Sequence, residues 1–472
     1  MFKEKNNKYL DTVIIGSGLS ALNFIDEFSK KEKKIHVISP NFNEKLFDNK
    51  YEKIEFLPSQ MYDKKIQAEN YFFANRIEKS KNCKVLGSLN FGGLSNYWGL
   101  QVDNYINIKN QRLSKSINKK INSSFNDLLN KFKLIGTFQY NNKAYQNEFN
   151  IPAHFSNLLK KKYKNFKILR PIIAFNRNLK KRELSQIKEN KDKLNSSNFL
   201  EISGLKNKIH FHNFYVEEIQ KYGKKLKIIC KNKKEMKIFI VKKVILAAGT
   251  IATTKIIMNY LKIKKEVSIK HHPRLIAVYL GRKKINTDLK FTPSLLQFIG
   301  KNNQNFFSAD IRPGNSDITD SIISLSRLLL PFKFLINFFK QRLIFSNILL
   351  DPKFSDIYMK SMGKNFLIYT KKNNVYGELK KTNLKFFYFL LKQNLIFPFF
   401  KTHFPGIGSD FHYFGSIPIN GKQKLSVNEN CQLKNNKNIY VVDSSVFNFK
   451  TNKYPLGIVM ANARRIGKLL SK

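Results

Sequence analysis

Apolar residues are spaced in two ways along this chain, and the switch from one to the other outlines its elements. In DTVIIGSGLSALNFIDEFSK, residues 11–30, an unbroken aliphatic run stops at glycines and gives way to apolar positions three and four apart. That order predicts a buried strand, a glycine turn and an amphipathic helix. KIHVISP predicts the next strand, so the chain opens as a βαβ unit. From about 110 to 200 the chain is charged and helix-prone; SSFNDLLNKFKLI and SNLLKKKYKNFKIL show helical spacing and read as peripheral. Strand-like alternation returns in KIHFHNFYVEEIQKYGKKLKIICK, with a Tyr-Gly turn, and KKVILAAGTIATTKIIMNY repeats the order of strand, glycine and helix. Residues 275–380 mix short strands such as RLIAVYL and NFLIYTK with turns, which suggests a second sheet. Near the end lie the strand NIYVVDSS and the helix PLGIVMANARRIGKLL, and no internal repeat is present. The expected fold class is α/β.

Length adds that two lobes are expected, because 472 residues exceed what one compact core usually holds. A hydrophobic fraction of 42% marks a folded chain. Lys and Arg number 85 against 33 Asp and Glu, a formal charge of +52. The excess is scattered, mostly lysine, and accompanied by much Asn, Ile and Phe, a set that looks like a nucleotide bias of the host genome. A solvated lysine surface is therefore favoured over a nucleic-acid footprint, and no nucleic-acid partner is expected. Cys83, Cys230 and Cys431 are far apart and lack CxxC spacing, so neither a disulfide framework nor a metal site is indicated, and a reduced cytoplasm fits. The N-terminus is unlike a signal peptide, and no apolar run is long enough for a transmembrane helix.

Two segments, 325–350 (LSRLLLPFKFLINFFKQRLIFSNILL) and 384–401 (LKFFYFLLKQNLIFPFFK), are crowded with Phe, Leu and Ile and punctuated by Lys and Arg. They are expected as helices covering a site entrance or a dimer contact, with peripheral contact at the inner membrane face as the alternative. Contact with lipid would make a lipid-linked sugar an attractive substrate.

Candidate chemistry begins at the first turn. Gly16 permits a tight turn, Gly18 lets backbone approach a pyrophosphate, and Ser20 and Ala21 follow, the alanine allowing close packing of helix on strand. An acidic residue usually ends the second strand of a dinucleotide fold; here Ser39 stands there and offers a single hydrogen bond. In NFGGLSNYWG, Gly92 and Gly93 remove side chains where backbone must meet a flat ring or a phosphate, and Ser95 and Asn96 add short polar groups; an ordinary glycine turn beside a buried Trp98 is the plainer reading. Ala248 and Gly249 end a buried strand in small residues that suit either an adenine or plain packing. Asp443 and Ser444 end YVVDSS, where Asp443 reads equally as a cap or turn former.

VIIGSGLSA, NFGGLSNYWG, KKVILAAGTIATTKIIM and the block from HYFGS through VVDSSVF to YPLGIVMANARRI, in that order, resemble the glucose-methanol-choline (GMC) family of flavin oxidoreductases, especially bacterial members acting on sugars or other alcohols. The resemblance implies an FAD-binding Rossmann-like domain from 1–110, 200–275 and 405–472, and a second α+β substrate domain, built on an antiparallel sheet, from 111–199 and 276–404. It implies non-covalent FAD, since the loop around Tyr97 has none of the histidine that attaches flavin in some relatives, and it points to Val216 beside the adenine. Of the eight histidines only His412 stands in a His-x-x-Gly-Ser arrangement resembling the family's catalytic motif. Alcohol oxidation needs a base for the hydroxyl proton, and imidazole suits that task. His271, His272 and His403 read as structural or surface groups. The family's second polar residue, His or Asn before a proline, is replaced by Tyr454 before Pro455, with Asn452 as an alternative; the amides from Leu456 onward would stabilise charge on reduced flavin. The implied function is oxidation of CH-OH groups of an alcohol or sugar, in polysaccharide or glycan-precursor metabolism. The alternative is a flavin- or glycan-binding protein that has lost its chemistry and works at a membrane surface.

Overall fold

A computed structural model describes residues 4–31, 34–40, 71–96, 98–102, 113–132, 152–174, 194–285, 294–302, 305–314, 331, 334, 338–371, 373–449 and 454–472. Tyr97 and Asn452 lie outside the described residues, as do 325–330 and parts of 332–337. The chain is a mixed α/β protein with several sheets.

The largest sheet has eight strands. Its centre is β1 (Glu4–Ile15), parallel to β2 (Ile35–Ile38) on one side and to β6 (Met236–Leu246) on the other. Beyond β2 lies β3 (Ile209–His212), also parallel. The meander β4 (Tyr215–Tyr222) and β5 (Lys225–Lys231) joins β6 antiparallel, and β8 (Asn436–Val441) continues the parallel set beside β6, with β7 (Gln432–Leu433) at the edge. Val13, Ile14, Val244, Ile245 and Leu246 are fully buried, which explains why these central strands read as continuous apolar runs rather than alternating ones.

The turn after β1 has to be glycine. Gly16 adopts φ +110, and a Cβ there would fall 2.2 Å from the Ala247 carbonyl oxygen, because β1 and β6 end side by side at Ile15 and Leu246. Helix α1 (Leu19–Phe28) starts directly afterwards and packs against the C-terminal helix α6 (Leu456–Leu470). Their crossing is tight enough that a Cβ on Gly467 would lie 2.4 Å from the Phe24 carbonyl oxygen.

The segment 111–199, assigned as a whole to the substrate lobe by sequence, is divided. Helix α2 (Lys115–Phe132) packs against α6, with Ile117, Ile121, Phe125 and Leu128 buried, while the strand Phe166–Leu169 sits at the edge of a six-stranded antiparallel sheet. Amphipathic spacing shows which face of α2 is buried but not what covers it. Helix α3 (Ser196–Ser203) contacts α1. The six-stranded sheet runs Ile396–His403, Arg274–Gly281, Leu343–Leu350, Asn305–Pro313, Leu296–Asn302, Phe166–Leu169. A four-stranded sheet of Val267–Lys270, Asp356–Met362, Asn365–Thr370 and Ile77–Lys79 draws on the first 110 residues as well. Helix α4 (Thr250–Tyr260) follows β6, and α5 (Val375–Lys392) lies on the six-stranded sheet.

The expectation of two apolar helices is corrected. Leu343–Leu350 is an inner strand of the six-stranded sheet, and 384–401 holds the second half of α5 followed by the edge strand Ile396–His403. A strand buried on both faces and a buried helix give the same short apolar run, so the spacing could not separate them. Cys83, Cys230 and Cys431 are buried and unpaired.

One buried ionic cluster joins three helices. Arg464 on α6 donates from Nη1 to Asp26 at 2.6 Å and from Nη2 to Glu27, both on α1, while Lys131 of α2 reaches Asp26 at 2.5 Å. Arg464→Met leaves those carboxylates without their principal counter-charge and is expected to cost about 3–5 kcal/mol, read as a lower denaturant midpoint. An unchanged midpoint would show that the cluster contributes nothing to the packing of α1, α2 and α6.

Candidate functional site: a cleft at the parallel strand ends

A cleft of about 390 Å³ opens where β1, β2 and β6 end. Gly16, Gly18, Ser20, Ser39, Gly92, Gly93, Ser95, Val216, Ala248, Gly249, His412, Asp443, Ser444, Tyr454, Pro455 and Leu456 line it, so residues nominated from separate motifs share one wall. Ala21 and Asn96 do not. Ala21 is fully buried within α1, and Asn96 donates from Nδ2 to the Phe91 carbonyl at 2.7 Å, holding the loop in shape.

Three helices start at the cleft. Helices α1, α4 and α6 begin at it, with Gly18, Gly249 and Pro455 as their N-caps, and none of the three carries a side-chain cap. The positive dipole ends of α1 and α6 are therefore left facing the cavity, while at the α4 start the Gly249 amide is taken by Asp443. Gly249, at φ +83, has no atom within 4 Å of where a Cβ would stand, and Gly93, at φ +54, has only the Ser88 carbonyl oxygen at 3.7 Å, so the backbone there leaves an open cradle. Gly92 is different: a Cβ would meet Ser196 at 2.9 Å, so this glycine serves close packing of loop on α3. Ser17 ties three walls together, since its hydroxyl accepts from the Gly92 amide at 2.9 Å and shares a hydrogen bond of 2.7 Å with Ser39. Ser39 is thus present at the cleft with its hydroxyl already engaged. Asp443, half-committed as a cap by sequence, bonds the Gly249 amide at 3.1 Å, the Thr253 hydroxyl at 2.5 Å and the Ser445 amide at 3.0 Å, and Ser444 bonds Thr250 at 2.8 Å. Both hold the α4 N-terminus against β8 while lining the cavity.

At the other end of the cleft stands His412. Its Nδ1 lies 3.3 Å from Nδ1 of His272 and 4.0 Å from Asp410 Oδ2, its side chain keeps 21% exposure, and its Nε2 has no partner among the described residues. Asp410 is buried and accepts from His271 Nδ1 at 2.7 Å, the His272 amide at 2.8 Å and the His412 amide at 3.3 Å. Burial opposes its charge, yet His271 beside it holds the carboxyl well below the ordinary range. His271 and His272, read from sequence as structural or surface groups, are both fully buried and do not line the cleft; they bear on it through Asp410 and, for His272, through the contact with His412. Tyr454 packs its ring edge-on to His412, centroids 5.1 Å apart, and its hydroxyl donates to Asp310 at 3.2 Å.

Sequence reasoning also missed Asp410, Arg274, Arg312, Gln101 and Asn347. Asp410 and Phe411 directly precede the His-x-x-Gly-Ser stretch, and no local pattern announced them: Phe411 takes φ 64, a conformation a bulky residue disfavours. Arg274 gave no signal either, being the first residue of an ordinary-looking strand.

His272, Asp410 and His412 lie close enough, all within 4.8 Å, for a small cation, though the hydrogen bond between the two imidazoles accounts for their separation without one. No protein-family model matches the chain, and no curated protein matches it.

Burial first, then the neighbouring His272, pushes the His412 imidazole down to about 3 against the opposing pull of Asp410, with Arg274 adding a smaller depression. The group is consequently neutral throughout the range in which a free histidine titrates near 6.5. In histidine NMR spectra, assigned by the resonance lost in His412→Gln, the His412 ring should keep its neutral shifts from pH 8 down through the range where free histidine titrates, as a pKa lowered to about 3 requires. A midpoint near 6.5 would mean the ring is solvated and unrestrained.

Proposed function

We propose that the protein is an FAD-dependent oxidoreductase acting on the CH-OH group of an alcohol or sugar, with an FAD-binding Rossmann-like region and a substrate region on the antiparallel sheet. The observation that carries this reading is the convergence on one cleft of two things: uncapped helix N-termini beside the glycine turns, and a neutral, unpartnered imidazole nitrogen at the far end. The donor set fits the cofactor. The α1 N-terminus at Gly18 would receive the pyrophosphate, Val216 and Ala248 would flank the adenine half, Gly92 and Gly93 would pass under the ring system, and the amides after Pro455 would face its pyrimidine side. When bound, FAD supplies the acceptor for the hydride leaving the alcohol carbon.

This chain's own residues handle the proton. For His412 Nε2 to accept it, Nδ1 must carry the hydrogen and donate to His272 Nδ1, and His272 is held for this by the Asp410 bond to its amide. Tyr454 occupies the place of the family's second polar residue, but its hydroxyl is directed to Asp310, so its contribution is to wall the cleft beside His412 and to orient Asp310. The substrate hydroxyl would give its proton to His412 Nε2 as the alcohol becomes a carbonyl.

The purified protein is expected to be yellow, and anaerobic addition of a substrate alcohol should bleach it. His412→Ala should retain flavin and lose about 10²–10⁴ in the bleaching rate, the usual contribution of a general base. A colourless protein, or unchanged bleaching by the variant, would overturn the reading.

Peripheral contact with an anionic membrane surface is a second proposal, carried by exposed aromatics beside cations. Phe334, Phe338, Phe399 and Tyr388 are 80%, 73%, 66% and 64% exposed, and Arg282 lies over the Phe397 ring at 5.0 Å. The edge strand and the turn before Leu343 adjoin, since Arg342 donates to the Arg282 carbonyl and Arg282 to that of Ile396. Vesicles of phosphatidylglycerol should carry the protein in flotation, those of phosphatidylcholine should carry less, and Phe338→Ser with Phe399→Ser should release it; absence of a floating fraction defeats the proposal.

A further inference from the structure

We propose that the substrate carries a carboxylate and that Arg274 receives it. This rests on the alcohol-oxidising reading of the cleft and adds the chemical class of the substrate: hydroxylated acids such as hexuronates.

The wall opposite the glycine turns is one face of the six-stranded sheet. Arg274 pairs with Leu349, Ile276 with Asn347, and Arg312 with Phe345, so alternate residues place Arg274, Leu349, Asn347 and Arg312 on a common face, and all four line the cleft. The two arginines are not equivalent. Arg312 donates from Nε to Asp310 Oδ2 at 2.6 Å, and Tyr454 donates to the same oxygen, so that cation has its counter-charge. Arg274 does not. It donates from Nη2 to the Ser409 carbonyl at 2.8 Å, its guanidinium lies 5.6 Å from the Phe411 ring centroid, its Nε is buried with no hydrogen-bond partner, and among the described residues it forms no ion pair with a carboxylate. Such a cation, partly buried beside His412 and open to the cleft, is costly unless an anion arrives from outside. A guanidinium presents parallel donors that match a carboxylate.

Gln101 supplies the independent observation. It is 1% exposed, lines the same cleft, and neither its Oε1 nor its Nε2 has a hydrogen-bond partner. Two residues earlier, a Cβ on Gly99 would stand 3.3 Å from both terminal nitrogens of Arg312, so the chain passes the arginine side of the cavity just before Gln101. An amide offering one acceptor and a paired donor suits a hydroxyl, which both donates and accepts. The floor thus reads as one anion receptor with hydroxyl receptors around it. Charge number separates carboxylate from phosphate: Asp410 acts on Arg274 through space and Asp310 neutralises Arg312, so the floor offers one incompletely balanced cation, enough for a monoanion and not for a phosphate dianion.

The test uses D-glucuronate and D-glucose, which differ only in the oxidation of C6, titrated calorimetrically into the purified protein. D-glucuronate should bind at least tenfold more tightly. Arg274→Met should lose that preference, with about 30-fold weaker binding of the acid, the low end for removing one partner of a buried charge pair, while D-glucose binding and flavin content change far less. Arg274→Lys, which restores the charge without the fork, should recover part of the preference and serves if the methionine variant does not fold. Equal binding of the two sugars, a preference that survives Arg274→Met, or displacement of D-glucuronate by inorganic phosphate more readily than by acetate overturns the proposal. A colourless protein that still discriminates the acid through Arg274 would sink the redox reading alone.

Discussion

The buried carboxylate of Asp410 is the constraint on which the shape of the cleft depends. It joins stretches about 140 residues apart, the start of the strand at Arg274 and the loop carrying His412, through bonds to His271, the His272 amide and the His412 amide. Phe411 lies between the carboxylate and the histidine and is held at φ 64, a left-handed conformation costly for a bulky residue, on the order of 1–3 kcal/mol. Hydrogen bonds to a buried charge contribute about 1.5–3 kcal/mol each, so several of them outweigh that strain. The outcome is positional: the His412 ring is turned so that one nitrogen meets His272 and the other meets the open cleft.

What was legible in the sequence follows from this division between local and long-range causes. β1, the Gly16 turn, α1 and β2 were legible because a parallel strand buried on both faces, a residue needing φ +110 and an amphipathic helix each leave a local signature. The same holds for β6 with α4 and β8 with α6. Gly16, Gly92, Gly249, His412 and Tyr454 could be nominated one by one; Gly16 and Gly249 meet because β1 and β6 end side by side, whereas Gly92 and His412 follow strands of two other sheets and reach the same cleft only through the tertiary fold. Arg274 and Arg312 could not be nominated. Their meaning comes from strands flanking Leu343–Leu350, a pairing that no local pattern reports, and that strand itself was hidden in an apolar run that spacing alone reads as helix. His272 was missed for a related reason: only the Asp410 tie brings it to His412.

The net charge of +52 bears little on this site. Exposed lysines act through water and salt, which screen them over about 8 Å at physiological ionic strength. Inside the cleft the relevant charges are few and fixed: the starts of α1 and α6 and the Asp443 carboxyl that holds α4 on one side, Arg274, the neutralised Arg312 and the buried Asp410 on the other. On the proposed reading a ligand negative near the glycine turns and negative again near Arg274 complements both ends, with the neutral imidazole of His412 between them as an acceptor for a hydroxyl proton.

That imidazole is, taken alone, a poor base. Burial and the neighbouring His272 and Arg274 hold it far below the ordinary histidine value, and the same low affinity for protons that keeps it unprotonated weakens its pull on an alcohol. On the proposed reading the substrate removes part of the handicap. A carboxylate docked on Arg274 places negative charge near His412 and offsets one of the cations that depress it, and a nearby negative charge favours the protonated imidazole. The base would then strengthen when a ligand of the right charge is present and stay weak when the cleft holds only water or a neutral alcohol. Discrimination for the acid would appear in the proton-transfer step as well as in binding, because one guanidinium both receives the carboxylate and contributes to the resting weakness of the base.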